Sequence, residues 1–431
     1  MIAINPPANI TDKTLSLPGS KYIANRLLIL AALTEGECVF DNVPANDDIQ
    51  TAQAGLSKLG AHFEFSDGRL TSRGIQGSNP AADGTIYTSH SGTFSRFVVA
   101  VAALSHDWVS LNGSAKMNTR PMADLFAALR NAGVQIESSE NDTLPARIKG
   151  PITADTITIS GAISSQYISA LLLIAAKLEK GLTIQLTCEP VSKPYLSMTI
   201  DLLSTFGIQV AVSDDYQTFK VAGGQTYQAT SISVPTDPSS ASYFLAYAAI
   251  NGCEICLQNY QPELSLQGEA KFTQVLEQMG CKLWADEQGF HCQGPEQLVG
   301  VDVDMGDMPD VVQTLAVVAA FANGQTHITN IENLAFKESN RIEDTATELR
   351  KTGLIVKTTA DSMTIIPAAL QAAHFNTYDD HRMAMSLGLL ACKISGITMS
   401  DADVVSKSFP TYWQYMAQLG LATSEVADSI A

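Results

Sequence analysis

No stretch of this 431-residue chain stays apolar for the roughly 18 residues that a membrane-crossing helix needs. The opening, Met1-Ile2-Ala3-Ile4-Asn5-Pro6, lacks both a basic region and an apolar signal core, so a cytoplasmic protein is expected. Positive charge is in short supply, with 26 Lys and Arg against 44 Asp and Glu and a net charge of −18. Such a balance argues against nucleic acid and against anionic membrane surfaces as partners. It leaves room for a small anionic substrate where cations are gathered locally. The phosphate-binding pattern Gly-x-x-x-x-Gly-Lys-Ser/Thr is absent, which argues against a P-loop nucleotide site. Cysteines number seven, an odd and modest count that fits a reducing compartment. Cys253-Glu254-Ile255-Cys256 has no second pair at zinc spacing and falls where a strand is expected, so these read as buried thiols. Neither a metal nor a cofactor is expected.

What the chain does contain is repetition. In Leu17-Pro18-Gly19-Ser20-Lys21-Tyr22-Ile23-Ala24-Asn25-Arg26, Pro and Gly end one element and Ser20 is a good helix N-cap. An apolar run, 27–33, follows. Lys21 falls in the first turn, the positive end of the helix, which cations usually avoid. A Lys and an Arg there suggest an anion held by side chains and free backbone N–H groups together. Taken alone, the stretch is better read as a capped core helix with two solvated charges. But the plan returns, with openers at Ser20, Ser91, Ser164, Ser239, Asp310 and Asp380, spaced 71, 73, 75, 71 and 70 residues apart. After each comes an amphipathic helix ending in apolar-x-x-x-Gly, with glycines at 60, 133, 207, 280, 353 and 420. Gly just past a helix is the left-handed C-terminal cap. Two markers with one period give six copies of a unit with two helices and several strands.

A chain this long exceeds one ordinary core, so the six copies divide into two domains of three. Helices expected over 97–104 and 315–322 have no polar face and must be buried on all sides. If the three inner helices of a domain run parallel, their positive ends share one face. Two such faces opposed across a cleft would make a strong anion site. The polar segment Gly223-Gly224-Gln225-Thr226 reads as a crossing between domains, and Asn46-Asp47-Asp48 as a solvated helix cap.

Eight cations fall at equivalent points of the repeat: Lys21, Arg26, Arg96, Arg120, Lys337, Arg341, Arg382 and Lys407. Each alone reads as a surface charge, but eight in register do not. The arginines suit bidentate binding of carboxylate or phosphate. Asp310 and Glu338 occupy the same kind of position and read equally as ion-pair partners or as acid/base groups.

These motifs resemble the enolpyruvyl transferase family, and within it the 5-enolpyruvylshikimate-3-phosphate synthases, over nearly the whole chain. The resemblance rests on Leu17-Pro18-Gly19-Ser20-Lys21 with Arg26, Gly92-Thr93 with Arg96, Arg120-Pro121, Ser164-Ser165-Gln166 and Ser192-Lys193-Pro194-Tyr195. It continues through Asp237 with 239–244, Pro309-Asp310, Lys337-Glu338 with Arg341, 380–385, and Lys407 with Phe409-Pro410. It implies an α/β fold of two similar domains, each three β-α-β-α-β-β repeats with buried parallel helices, an inside-out α/β barrel. The domains would be 17–226, and 1–16 with 227–431, with the active site in the cleft between them. The implied reaction moves the enolpyruvyl group of phosphoenolpyruvate to the 5-hydroxyl of shikimate 3-phosphate in a cytoplasmic monomer. Lys21, Asp310 and Glu338 would be catalytic. Lys21, Gly92, Arg120, Gln166, Arg341, Arg382 and Lys407 would hold phosphoenolpyruvate. The acceptor would meet Lys21, Tyr22, Arg26, Ser164, Ser165, Gln166, Ser192, Tyr195, Asp310, Asn333 and Lys337. Tyr22, His90-Ser91, Phe94, Ala335 and Asn340 depart from the family pattern. They keep open a related transferase for another anionic alcohol, or a non-catalytic anion-binding relative.

Overall fold

In the computed structural model, which describes residues 1–75, 80 and 84–426, the apolar runs fold as helices with almost no solvent-facing residue. The chain divides into two units, Gly19–Val234 (unit 2) and Met1–Pro18 with the chain from Pro235 onward (unit 1). Unit 2 carries α1 (Lys21–Leu33), α2 (Asp47–Ser57), α3 (Gly92–Ala102), α4 (Ala123–Asn131), α5 (Ser165–Ile174) and α6 (Lys193–Thr205). Unit 1 carries α7 (Pro238–Asn251), α8 (Phe272–Gln278), α9 (Val312–Ala319), α10 (Arg341–Lys351), α11 (His381–Gly388) and α12 (Tyr412–Gln418). The odd-numbered helices form the core of each unit; all 13 residues of α1 are buried. Each fully buried Leu, Ile or Val contributes about 1.5–3 kcal/mol, so these helices are held by packing on every side rather than by one stripe.

The even-numbered helices bury one face and stop at the repeat's glycine. Gly60, Gly133, Gly207, Gly280, Gly353 and Gly420 all have φ between 81° and 106°, the left-handed region that a side chain would strain.

Six four-stranded sheets surround the inner helices, among the described residues, and share one pattern. The second repeat of unit 2 shows it: Ile86–Tyr87 lies parallel to Val109–Asn112, then Ala146–Lys149 and Gln135–Ser138 add antiparallel. Three sheets borrow a strand from far along the chain. Ser231–Ser233 lies parallel to Glu37–Asp41 and completes the first sheet of unit 2. Lys13–Leu15 does the same for Glu254–Leu257 in unit 1. Ile2–Asn5 sits antiparallel between Ile397–Met399 and Ala422–Glu425.

Several local expectations change. The division falls at Val234–Pro235, not after residue 226, because Ser231–Ser233 is paired within unit 2. The opener of α7 is Asp237, whose carboxylate accepts from Ser239 N at 3.1 Å, so Ser239 sits inside the first turn. Asp310 is not the residue that precedes α9; it lies in a short 3-10 turn, Pro309–Val311, ahead of that helix. The helix expected to reach residue 322 ends at Ala319, because Ala322–Asn323 pair in parallel with Leu298–Val299.

Side-chain contacts place like ends of the inner helices together. In unit 1 the Ser242 and Ser386 hydroxyls each lie 3.3 Å from that of Thr314, joining α7, α9 and α11 at positions 72 residues apart. In unit 2 Gln166 of α5 donates to Thr93 of α3 at 3.2 Å, and Arg26 of α1 donates to Ser169 of α5 at 3.4 Å. No described helix is long and apolar enough to cross a membrane.

Candidate active site

The densest charge cluster of unit 1 is built on Arg341, the first residue of α10, which is 1% exposed. Its guanidinium donates to three carboxylates: Asp310 at 2.7 Å, Glu338 at 2.9 Å, and Asp380 through Nε at 2.8 Å and Nη2 at 3.2 Å. Arg382, in the first turn of α11, reaches the other oxygen of Asp310 at 3.3 Å and donates to the Tyr243 hydroxyl at 3.2 Å. Lys407 donates to Glu338. Three cations and three carboxylates thus meet, each carboxylate beside a charge it shares. Burial disfavours the charged Arg341, but Asp380, Glu338 and Asp310 outweigh it and hold the guanidinium firmly protonated. Burial would raise Asp380, yet Arg341 brings its carboxyl below the usual range. Burial pushes the Tyr243 phenol up to about 12, so it stays neutral. Asp380 is also the N-cap of α11, accepting from Arg382 N at 2.9 Å, and takes a hydrogen bond from Ser339 at 3.0 Å. One side chain therefore sets the helix start and orients Arg341.

Unit 2 presents the first turns of α1, α3 and α5. Ser20 caps α1 by accepting from Ile23 N at 3.3 Å, and Lys21 follows at the helix start. The Lys21 ammonium lies 3.0 Å from Asp48 of α2, with side chains only 8% and 6% exposed. On α3, Gly92 permits a close approach: an added Cβ would lie 2.3 Å from Arg120 Nη1. Arg96 fastens the Arg120 loop, donating to Gly92 O at 3.0 Å and Pro121 O at 3.1 Å. Tyr167 adds a third tie, donating to Pro121 O at 2.7 Å. Phe94 turns onto Gly55 of α2, where an added Cβ would lie 2.4 Å from its Cζ, so its bulk is housed in the core.

Arg26 is 1% exposed and engaged with the protein. It donates to Thr199 at 2.7 Å, Tyr22 O at 3.0 Å, Tyr195 O at 3.3 Å and Ser169. The rings of Phe97 and Tyr195 lie 5.3 and 5.8 Å from its Cζ. Desolvation lowers its pKa to about 10. In this structure Arg26 acts as a strut between α1, α5 and α6. Tyr22 packs on Tyr195, ring centroids 5.2 Å apart.

The structure thus gathers Asp310, Glu338, Arg341, Arg382 and Lys407 in unit 1 and, in unit 2, joins Gly92 to Arg120, Thr93 to Gln166, and Tyr22 to Tyr195 and Arg26. Ser164 caps α5 through Gln166 N, with Ser165 buried behind it, and Ser192 opens α6 at φ 53°. Asn333 and Lys337 lie in and just after the 3-10 turn Glu332–Phe336 that leads to the cluster. The segment Asn46-Asp47-Asp48 has the pattern of a solvated helix cap, but the cap is Asn46 alone, which accepts from Ile49 N at 3.0 Å, while Asp48 is buried against Lys21. Reading Asp380 as a helix opener missed its contact with Arg341. Tyr243 falls within the motif 239–244 that carries the family resemblance, but its hydrogen bond with Arg382 had no signal in the sequence.

Three buried helices in each unit, with Lys21, Arg96 and Arg382 near the starts of α1, α3 and α11, define the class: the fold is that of the enolpyruvyl transferases. The enolpyruvyl transferase NikO from Streptomyces tendae superposes with a TM-score of 0.77 over 99% of this chain and 98% of that one, at 16% identity. EPSP synthase from Acinetobacter baumannii gives 0.80 at 26% identity, covering 98% and 99%. The model of the family EPSP synthase (3-phosphoshikimate 1-carboxyvinyltransferase) matches residues 4–416, and this chain belongs to that family. The 3-phosphoshikimate 1-carboxyvinyltransferase of Yersinia pseudotuberculosis is 39% identical over 420 residues, 96% of this chain and 97% of the relative. That of Serratia proteamaculans is 38% identical over the same span.

Proposed function

We propose that this chain is an enzyme that transfers the enolpyruvyl group of phosphoenolpyruvate to the 5-hydroxyl of shikimate 3-phosphate, releasing phosphate. The observation that carries the reading is the Arg341 cluster, a set of anion-binding groups interleaved with acid/base groups, in a chain of this family. The acceptor oxygen adds to C2 while C3 gains a proton, giving a tetrahedral adduct. Phosphate then leaves C2 as C3 loses a proton, and the enol ether remains. Two polyanions repel each other, so cations must offset that before the hydroxyl reaches C2. Arg341, Arg382 and Lys407, with Gly92, Arg120 and Gln166, take phosphoenolpyruvate. To do so the three unit 1 cations exchange carboxylate partners for substrate. Asp310 and Glu338, relieved of those cations, become able to accept protons, and Lys21 supplies an ammonium. Ser164, Ser165, Ser192 and Lys337 hold the acceptor's phosphate, and Tyr22, Gln166, Tyr195 and Asn333 frame its ring. Arg26, with four of its five guanidinium N–H groups engaged, serves its carboxylate through the fifth or by exchanging one of its present acceptors. The enzyme works as a cytoplasmic monomer with these two small molecules as its partners.

A coupled phosphate-release assay tests the reading. Release that requires both phosphoenolpyruvate and shikimate 3-phosphate is the expected outcome. No release with both at millimolar concentration would overturn it.

A further inference from the structure

We propose that Asp48 is a positioning residue for this reaction, holding the Lys21 ammonium in the place from which it acts. The inference rests on the functional reading above, in which Lys21 moves a proton or steadies the charge of the tetrahedral adduct. Asp48 stands in the first turn of α2, whose cap is already provided by Asn46. Its carboxylate is therefore not needed to close the helix end. It points instead to α1 and meets Lys21 Nζ at 3.0 Å. On another side of the ammonium lies the Tyr22 ring, its centroid 5.4 Å away. The Lys21 backbone is itself fixed, since Asn25 Nδ2 donates to Lys21 O at 2.9 Å. A lysine has four flexible methylenes whose rotamer freedom must be given up before its ammonium can act, so an ammonium held at both ends of its stem is pre-organised. A buried ion pair is a poor source of net stability, because desolvating both charges offsets most of their attraction. What such a pair supplies well is a fixed location. The alternative is that Asp48 merely complements the α2 dipole. The exposed Asp47, in the same turn, would serve that end equally.

The test compares Asp48→Asn, Asp48→Glu and Asp47→Asn in the full-length enzyme, by steady-state phosphate release and thermal melting. Asp48→Asn should lower kcat about 10–100-fold, the scale of a catalytic group displaced by about 1 Å, while KM for both substrates stays within about threefold. Asp48→Glu restores the charge at a slightly wrong reach and should fall between Asn and wild type. Asp47→Asn should match wild type. Wild-type kcat in Asp48→Asn, a loss confined to KM, or an equal loss in Asp47→Asn would overturn the proposal. Should Asp48→Asn melt below the assay temperature, Asp48→Glu decides alone: reduced kcat at unchanged KM supports the role, and wild-type kcat removes it. Failure of the functional reading looks different, because the wild-type enzyme itself would then release no phosphate from the two substrates.

Discussion

A buried arginine facing three carboxylates and a buried lysine facing one show how differently single residues can be read from sequence. Arg341, Arg382 and Lys407 were legible because they recur at equivalent places in a repeat. Asp48 was not, because Asn-Asp-Asp before a helix is what a cap looks like, and only the fold shows which of the three does the capping. Arg26 was expected to meet the acceptor, whereas its burial among Phe97, Tyr195 and Thr199 depends on packing between helices far apart in the chain. His291 offers a test at this scale. Its ring is 4% exposed, stacks on Trp284 at 4.8 Å, and has Glu254 at 2.7 Å from one nitrogen and Asp286 at 3.0 Å from the other. Desolvation opposes its charge, but the two carboxylates win and its pKa is raised. A raised folded-state pKa gives stability that is complete below the unfolded value of about 6.5 and is lost as pH climbs through the folded value. The melting gap between wild type and His291→Gln should therefore be wider at pH 6 than at pH 9. A gap independent of pH would show that the imidazolium contributes nothing.

At the scale of elements, the repeat was readable because its markers are local. A left-handed glycine after a helix and a helix without a polar face both follow from a few neighbouring residues. The borrowed strands were harder: Ser231–Ser233 is three residues long, and its place is set by pairing with a strand near the other end of the unit. Nor did any sequence signal announce how α10 supports the loop before α11. In that loop Tyr378 and Asp379 both have positive φ, 55° and 52°, which non-glycine residues adopt only when their surroundings hold them. Glu348 provides the hold. Fully buried, it accepts from the Tyr378 hydroxyl at 2.7 Å, from Asn376 N at 3.0 Å and from Lys351 at 2.6 Å. The loop ends at Asp380 and Arg382, so α10 governs the cluster twice, through Arg341 at its start and Glu348 two turns on. Replacing Glu348 with Ala removes the acceptor shared by the part-buried Asn376 N–H and Tyr378 phenol, at a cost of about 1–3 kcal/mol. The expected results are a lower melting temperature and weaker phosphoenolpyruvate binding by calorimetry. A variant that loses stability but binds with wild-type affinity would separate the loop from the site.

For the molecule as a whole, the question is how a protein of net charge −18 captures two anions. The cations of the site act at contact distance, but the excess negative charge acts over the whole surface. The range of that surface field depends on salt: it extends about 30 Å at 0.01 M and about 10 Å at 0.1 M. The unit 1 cluster pairs Arg341, Arg382 and Lys407 with Asp310, Glu338 and Asp380, so its formal charges sum to zero and it projects little attraction outward. An approaching phosphoenolpyruvate at low salt therefore meets the repulsion of the surface before it meets a cation. Raising salt from 0.01 to 0.1 M removes the repulsion and leaves the short contacts largely intact. Its association rate, followed by stopped flow, should rise by a factor of about 2–5 over that interval, against the fall usual for anions entering a cationic cleft. Only above that range should added salt weaken binding, as ions compete at the contacts themselves. A rate that falls steadily from 0.01 M upward would mean that the gathered cations dominate at long range, and that the protein's acidity has no influence on how its substrates arrive.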